Sequence, residues 1–307
     1  MASASPSSLP PLDITRAPEG GEIGPVRSGW RLALREFASN RLAVIGVAVL
    51  AFFVLLCFVG PLFYHANLVT SNLNIANSPP GAGHPLGTDN EGIDVLGEIM
   101  KGGQASLEIG FLAAIVAIVV GALYGAISGL AGGLLDSALM RVVDVLLSIP
   151  FLFVVLIVAV RYGASVLSLS LILGGFTWLV PARLVRGEVL SLKVRDFVAA
   201  ARTAGATPWR LINRHLLPNA ISVIIVNVTF NVADAILAVA YLGFLGFGLH
   251  YPNYDWGDLL SNGTNYILDG YWWLIYPVGF CIIATVMACN LIGDALRDAL
   301  DVRLRRR

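Results

Sequence analysis

The stretch Arg195-Asp-Phe-Val-Ala-Ala-Ala-Arg-Thr-Ala-Gly205-Ala-Thr-Pro-Trp-Arg-Leu-Ile-Asn-Arg-His215-Leu-Leu-Pro-Asn219 reads as two short helices. Phe197 to Ala204 carries the first. It closes at Gly205, the residue type best suited to the left-handed position after a helix end. Thr207 then stands as N-cap and Pro208 as first helical residue, where a missing N–H costs little. The second helix is predicted to run to about Leu217 and to stop before Pro218, leading straight into an apolar run. Ala199, Ala200, Ala201 and Ala204 give the first helix a face almost without side chains. Such a face either packs on the protein's own helices or lets another surface come close, and the residues alone leave both open.

Outward from this segment the chain turns apolar. Of its 307 residues 57% are hydrophobic and only 13% charged, with a mean hydropathy of +0.77. Soluble domains carry roughly 25% charged residues, so the polar surface needed to coat a water-facing globule is missing. The expectation is an all-α membrane protein embedded in a lipid bilayer. Six stretches approach the about 20 apolar residues that a spanning helix needs: 42–63, 105–131, 139–160, 165–182, 220–248 and 272–295. Pro150 interrupts the third, whose first turns carry Arg141 and Asp144 three residues apart, where they can pair. Gly110, Gly121, Gly125 and Gly129 in the second favour close helix packing.

Sidedness follows from the basic residues. Eighteen of the 20 fall at the two termini, at Arg141 and in the 183–219 loop, and only Lys101 and Arg161 fall elsewhere. The termini and the 183–219 loop are therefore predicted to be cytoplasmic, with loops 64–104 and 249–271 outside. The zero net charge is a cancellation across a membrane, with bases in excess inside and acids outside. It also argues against nucleic acid as a partner, which calls for a basic excess. Residues 1–27, rich in Ser, Pro and Gly, read as a disordered cytoplasmic tail. Over 28–40, Trp30, Leu34 and Phe37 at helical spacing suggest a helix lying in the inner interface, although a plain basic anchor explains them equally well. Residues 41–307 form the six-span unit, its long inner loop at 183–219.

Inside the spans chemistry is sparse. Asp234 is the one acid well inside a span, and Asn227, Asn231 and Asp234 share one stripe of the fifth helix at i, i+4 and i+7. They either line a water-filled path, where they could meet a peptide amine or amide, or hydrogen-bond to neighbouring helices. The outer carboxylates Asp89, Glu91, Asp94 and Glu98 could engage a basic patch on a partner or simply be solvated. Three cysteines in apolar runs and four scattered histidines build neither a disulfide framework nor a metal site. A P-loop requires Gly-Lys before Ser or Thr. Lys101 follows Met100 and Lys193 follows Leu192, so this chain cannot bind ATP by that motif.

Several ordered motifs then carry a resemblance. The small face, Gly205 and Pro218 are similar to the Glu-Ala-Ala, Gly and Pro coupling motif of ABC-importer permeases, with Ala199 where Glu is usual. His84-Pro-Leu-Gly-Thr-Asp89 followed by Gly92-Ile-Asp-Val-Leu96 resembles the outer-loop signature of the dipeptide/oligopeptide/nickel permeases, with Ile93 in place of Arg. Asp136 to Pro150 looks like their third span. Phe244-Leu-Gly-Phe-Gly248 with Trp256-Gly-Asp-Leu-Leu260 matches a further stretch, Val239 and Gly243 replacing Glu and Ser. Asn290 to Asp301 is the closest match, and the set points to the C-type of the two paired permeases.

The resemblance implies a non-catalytic, multi-pass subunit of the prokaryotic plasma membrane, with no cofactor of its own. It implies a B-type permease partner, two cytoplasmic ATPase subunits that carry ATP and Mg, and an extracytoplasmic solute-binding protein. Ala199, Ala200, Ala201, Gly205, Ala206, Pro208 and Pro218 become candidates for ATPase coupling. His84, Gly87, Asp89, Asp94 and Trp256 become outer-loop candidates, and Asn227, Asn231 and Asp234 pathway candidates. Peptides are the expected cargo, with nickel chelates or another small solute as alternatives. An ion-coupled carrier that uses Asp234 as relay is the rival from another class, and a membrane-bound enzyme a third. A carrier normally spreads several ionisable groups through its core, and an intramembrane hydrolase wants a nucleophile paired with a base. Neither pattern is seen here, since no His lies in a span.

Overall fold

The computed structural model describes residues 29–249 and 253–305, and these hold helices and turns with no β-strand. The expected tail over 1–27, the side chain of Trp30 and His250 lie outside the described residues. Helix α1 (Gly29–Ser39) runs to Asn40, which caps the first long apolar helix, α2 (Arg41–Phe58), by accepting the N–H groups of Leu42 and Ala43 at 3.0 and 3.4 Å. After the short α3 (Gly60–Phe63) the chain folds into a compact loop and enters α4 (Val95–Ala131). At 37 residues and 1.5 Å per residue, α4 is about 55 Å long, far more than the about 30 Å hydrocarbon core. Its first ten residues therefore extend beyond the span expected from 105.

The third and fourth apolar stretches are broken helices. Helices α5 (Gly133–Ser148) and α6 (Phe151–Tyr162) meet at an angle of 81°. Pro150 forces the preceding Ile149 into an extended conformation, φ −81° and ψ 129°, which ends α5. Helices α7 (Val166–Thr177) and α8 (Leu179–Leu192) are bent by 45° at Trp178, one turn before Pro181, whose missing N–H removes a helical bond. Helix α8 continues ten residues beyond the span expected to end at 182. Then come α9 (Asp196–Thr203), α10 (Pro208–Leu211), α11 (Leu217–Asn219), α12 (Ile221–Phe244), α13 (Trp256–Thr264) and α14 (Tyr276–Arg305). Among the described residues four helical segments are long and apolar enough to cross a bilayer, and the number reaches six if each bent pair is one span.

Helix α4 is the axis of the fold, packed against α2, α7, α8, α12 and α13. Its glycines explain the tight seam with α8: a Cβ on Gly125 would lie 2.3 Å from the Ala182 carbonyl, and one on Gly121 2.8 Å from that of Trp178. Three apolar clusters follow one another along it. The first joins Phe53, Ile99, Trp256 and Val278, the second Ile109, Leu169, Leu173 and Val239. The third joins Ala126, Val185 and Val189 to Val198, Leu211 and Leu216, and so pins the α9–α10 segment to the end of α4.

Candidate functional site

Asn227, Asn231 and Asp234 lie on α12 and open onto a cavity of about 670 Å³. Opposite them the cavity is walled by Ser148 to Phe151 at the α5–α6 break and by Thr177, Leu179 and Val180 at the α7–α8 bend. The two broken spans thus make room for the polar stripe: a straight helix through residue 150 would fill the space its kink leaves open. Asn227 donates to the Val223 carbonyl and Asn231 to the Asn227 carbonyl, both at 2.8 Å along α12 itself. The Asp234 carboxylate makes neither a hydrogen bond nor an ion pair with any described residue, and these side-chain bonds of the two asparagines reach no neighbouring helix.

The second locus is the segment from which the sequence was read. Helix α9 ends in a Schellman motif: Gly205, at φ +80°, donates its N–H to the Arg202 carbonyl at 2.9 Å, and Ala206 to that of Ala201 at 3.0 Å. Thr207 caps α10 by accepting the Arg210 N–H at 3.3 Å, with Pro208 in the first helical position. Val198 is the buried anchor of α9. Ala199, Ala200 and Ala204 are exposed, Ala201 and Ala206 half-buried, and Trp209 keeps 59% of its surface. The alanine face is thus not consumed by packing on the chain's own helices. The second helix does not stop before Pro218. It passes through a π-helical turn over Ile212–Leu216, in which the Leu217 N–H reaches back five residues to the Ile212 carbonyl. The wider turn makes room for the proline ring within a continuous helix. Only a bend at Ala220 then separates this segment from cavity-lining α12.

The outer-loop candidates prove to hold the loop together. Asp94 caps α4 by accepting the Gly97 N–H at 2.9 Å, and its other oxygen meets the Tyr64 hydroxyl at 2.7 Å and His84 Nδ1 at 2.8 Å. Burial, then this bond to Asp94, pushes the Tyr64 phenol above its ordinary range. Asp89 accepts the Glu91 and Ile93 N–H groups at 2.9 and 2.7 Å. Burial still raises its carboxyl above the usual range, outweighing those donors. Gly87 sits at φ +76°, where a Cβ would meet the Ser78 carbonyl at 2.6 Å. Trp256 is fully buried, its indole N–H bonded to the Ile99 carbonyl at 3.0 Å.

Two family models match the chain. One, described as the binding-protein-dependent transport system inner membrane component, covers residues 118–306, and another, the N-terminal TM domain of oligopeptide transport permease C, covers residues 28–80. The chain belongs to the binding-protein-dependent transport permeases. It is 40% identical to the oligopeptide transport system permease protein OppC of Salmonella typhimurium, over 91% of this chain and 93% of that protein. To the dipeptide transport system permease protein DppC of Bacillus subtilis it is 38% identical, over 89% of this chain and 86% of that protein. A putative peptide transport system permease of Brucella abortus is 35% identical over 98% of both. This permease is accordingly a multi-pass component of the inner membrane.

In the permease the acids of α5 take partners that sequence spacing did not suggest. Asp144 pairs with Arg183 of α8 and not with Arg141, because α5 and α8 lie side by side. Arg186 of α8 donates from Nε and a terminal nitrogen to the two oxygens of Asp136 at 2.6 and 2.7 Å, and Ser128 of α4 adds a third bond at 2.5 Å. Lys193 caps the end of α4 through the Gly129 carbonyl at 2.8 Å. The signal available was a pair of acids on α5 facing two bases three residues apart on α8, and it becomes readable only once the helices are known to be neighbours.

Proposed function

We propose that this chain is the C-type permease of an ABC importer for peptides and forms one half of a translocation pathway driven by ATP hydrolysis on separate subunits. The observation that carries the reading is the uncovered alanine face of α9, held by Gly205 and linked through Pro218 to the helix that lines the cavity. A cytoplasmic ATPase subunit docks on that face. When two such subunits close on ATP, the docked segments move, and α12 swings with them between inward-open and outward-open positions. The pairs Asp136–Arg186 and Asp144–Arg183 make α5 and α8 travel as one body.

Asn227, Asn231 and Asp234 line the route, and the B-type permease closes the open side of the cavity. Asp234 supplies a counter-charge for a peptide ammonium and the asparagines meet its amides. Peptide cargo is supported by the dipeptide and oligopeptide permeases among the relatives. The excess of basic residues supports a cytoplasmic location for both termini and the α9–α10 segment, and an external binding protein delivers cargo to the opposite face. Membership of a binding-protein-dependent family favours this reading over an ion-coupled carrier. The test is purification from native membranes through a tag on this chain. Co-isolation of two ATPase subunits and a second permease, with peptide uptake that requires ATP, is the expected result. Uptake by this chain alone in a proton gradient would overturn it.

A further inference from the structure

At the end of α4 remote from Gly205 lies a second cavity, of about 430 Å³, that the transport reading does not use. Four carboxylates line it, Asp89, Glu91, Glu98 and Asp258, and among the described residues no Lys, Arg or His does. Like charges gathered this closely repel one another unless a cation joins them. Glu98 makes the case specific. It is 6% exposed, lines the cavity from the first turn of α4, and its carboxylate makes neither a hydrogen bond nor an ion pair with any described residue. A buried carboxylate left without a partner is costly, whereas the others have donors: Ser71 bonds to Glu91 at 3.2 Å, and Asp89 holds its own turn.

Among the described residues no three His, Cys, Asp or Glu side chains stand together as a metal-ligating group. The space suits a cation of several heavy atoms. Tyr254 and Tyr266 stand in the wall, and aromatic faces beside carboxylates are the surroundings that attract organic ammonium and guanidinium groups. We propose that this cleft is a binding site for an organic cation, whose ammonium or guanidinium group is met by Glu98 and flanked by Asp89, Glu91 and Asp258. A free amine solute and a basic side chain of a docked protein carry the same group.

The test is calorimetric titration of agmatine into the full-length permease in phosphatidylcholine nanodiscs at low salt. Saturable binding is expected, weakened about tenfold or more by Glu98→Gln, while N-butylurea, a neutral analogue, does not bind. Tryptophan fluorescence, to which the buried Trp256 and Trp273 contribute, reports whether the variant keeps its fold. Should Glu98→Gln not fold, Glu91→Gln on the exposed side still lowers affinity a few-fold. Competition by acetyl-Gly-Gly-Lys-Gly-Gly-amide shows that a protein-borne side chain can fill the site, and failure of that peptide beside binding of agmatine assigns it to a free solute. Absence of saturable agmatine binding, or equal affinity in wild type and a folded Glu98→Gln, would overturn the proposal.

Discussion

Gly205 shows how one residue sets the geometry of the segment proposed to dock an ATPase subunit. Its φ of +80° is strained for any residue with a Cβ, yet the space where a Cβ would stand is empty within 4 Å. Substitution therefore tests backbone strain without a steric clash. Gly205→Val costs about 1–2 kcal/mol and is expected to abolish uptake and binding-protein-stimulated ATP hydrolysis together. Gly205→Asn, which tolerates the left-handed region, retains most of both. Normal uptake and normal ATPase stimulation in the valine variant would refute the role assigned to this turn. Asp234 gives the second test at this scale: Asp234→Asn keeps the shape and removes the charge, so peptide uptake falls while the complex assembles normally. Unchanged uptake would assign Asp234 to structure. Gly205, Thr207 and Pro208 were legible in the sequence because caps and turns depend on a residue's own chemistry. Pro218 was not, because whether a proline ends a helix or is absorbed by a π-turn depends on what its neighbours pack against.

Among the elements, apolar run length located α2 and α12 within about five residues, and it found α4 and α14 but missed about ten residues at the start of the one and at the end of the other. The two broken spans were only half legible. Pro150 announced an interruption, but the 81° angle between α5 and α6 arises from packing, and hydropathy carries no information about direction. The bend at Trp178 and the extension of α8 to Leu192 were hidden because the charges after 182 look like a loop when their partners are unknown. Those partners are the acids of α5, and the two ion pairs differ in worth. Asp136 is buried with three charge-assisted bonds, and Arg186 is about one-third exposed, at 31%. Arg186→Ala should cost about 3 kcal/mol, the lower end for a broken buried pair. The Arg183–Asp144 pair is about half exposed on both sides, at 47% and 48%, and Arg183→Ala should cost under about 1 kcal/mol. Thermal unfolding of the purified complex checks both, and equal losses would contradict the clamp assigned to Asp136.

For the whole molecule, a cavity among broken spans is linked through α12 to an uncovered segment that is proposed to face the cytoplasm. Sidedness is the first thing to verify. Leu268 is 97% exposed in the loop expected to face outward, so a cysteine there should react with an impermeant maleimide on intact cells. A cysteine at Ala200 should react only after lysis. The native Cys57, Cys281 and Cys289 are buried and keep the background low. The charge asymmetry that predicts this arrangement was legible from the sequence. The cavity was not, since it depends on how the broken spans α5–α6 and α7–α8 pack against α12. The most direct measurement of the central claim is cross-linking of Ala200→Cys in native membranes with a short thiol-to-amine linker. A covalent adduct between this chain and an ATPase subunit is expected, with a yield that changes when ATP is bound. Adducts confined to this chain's own helices, or none to an ATPase subunit, would contradict it.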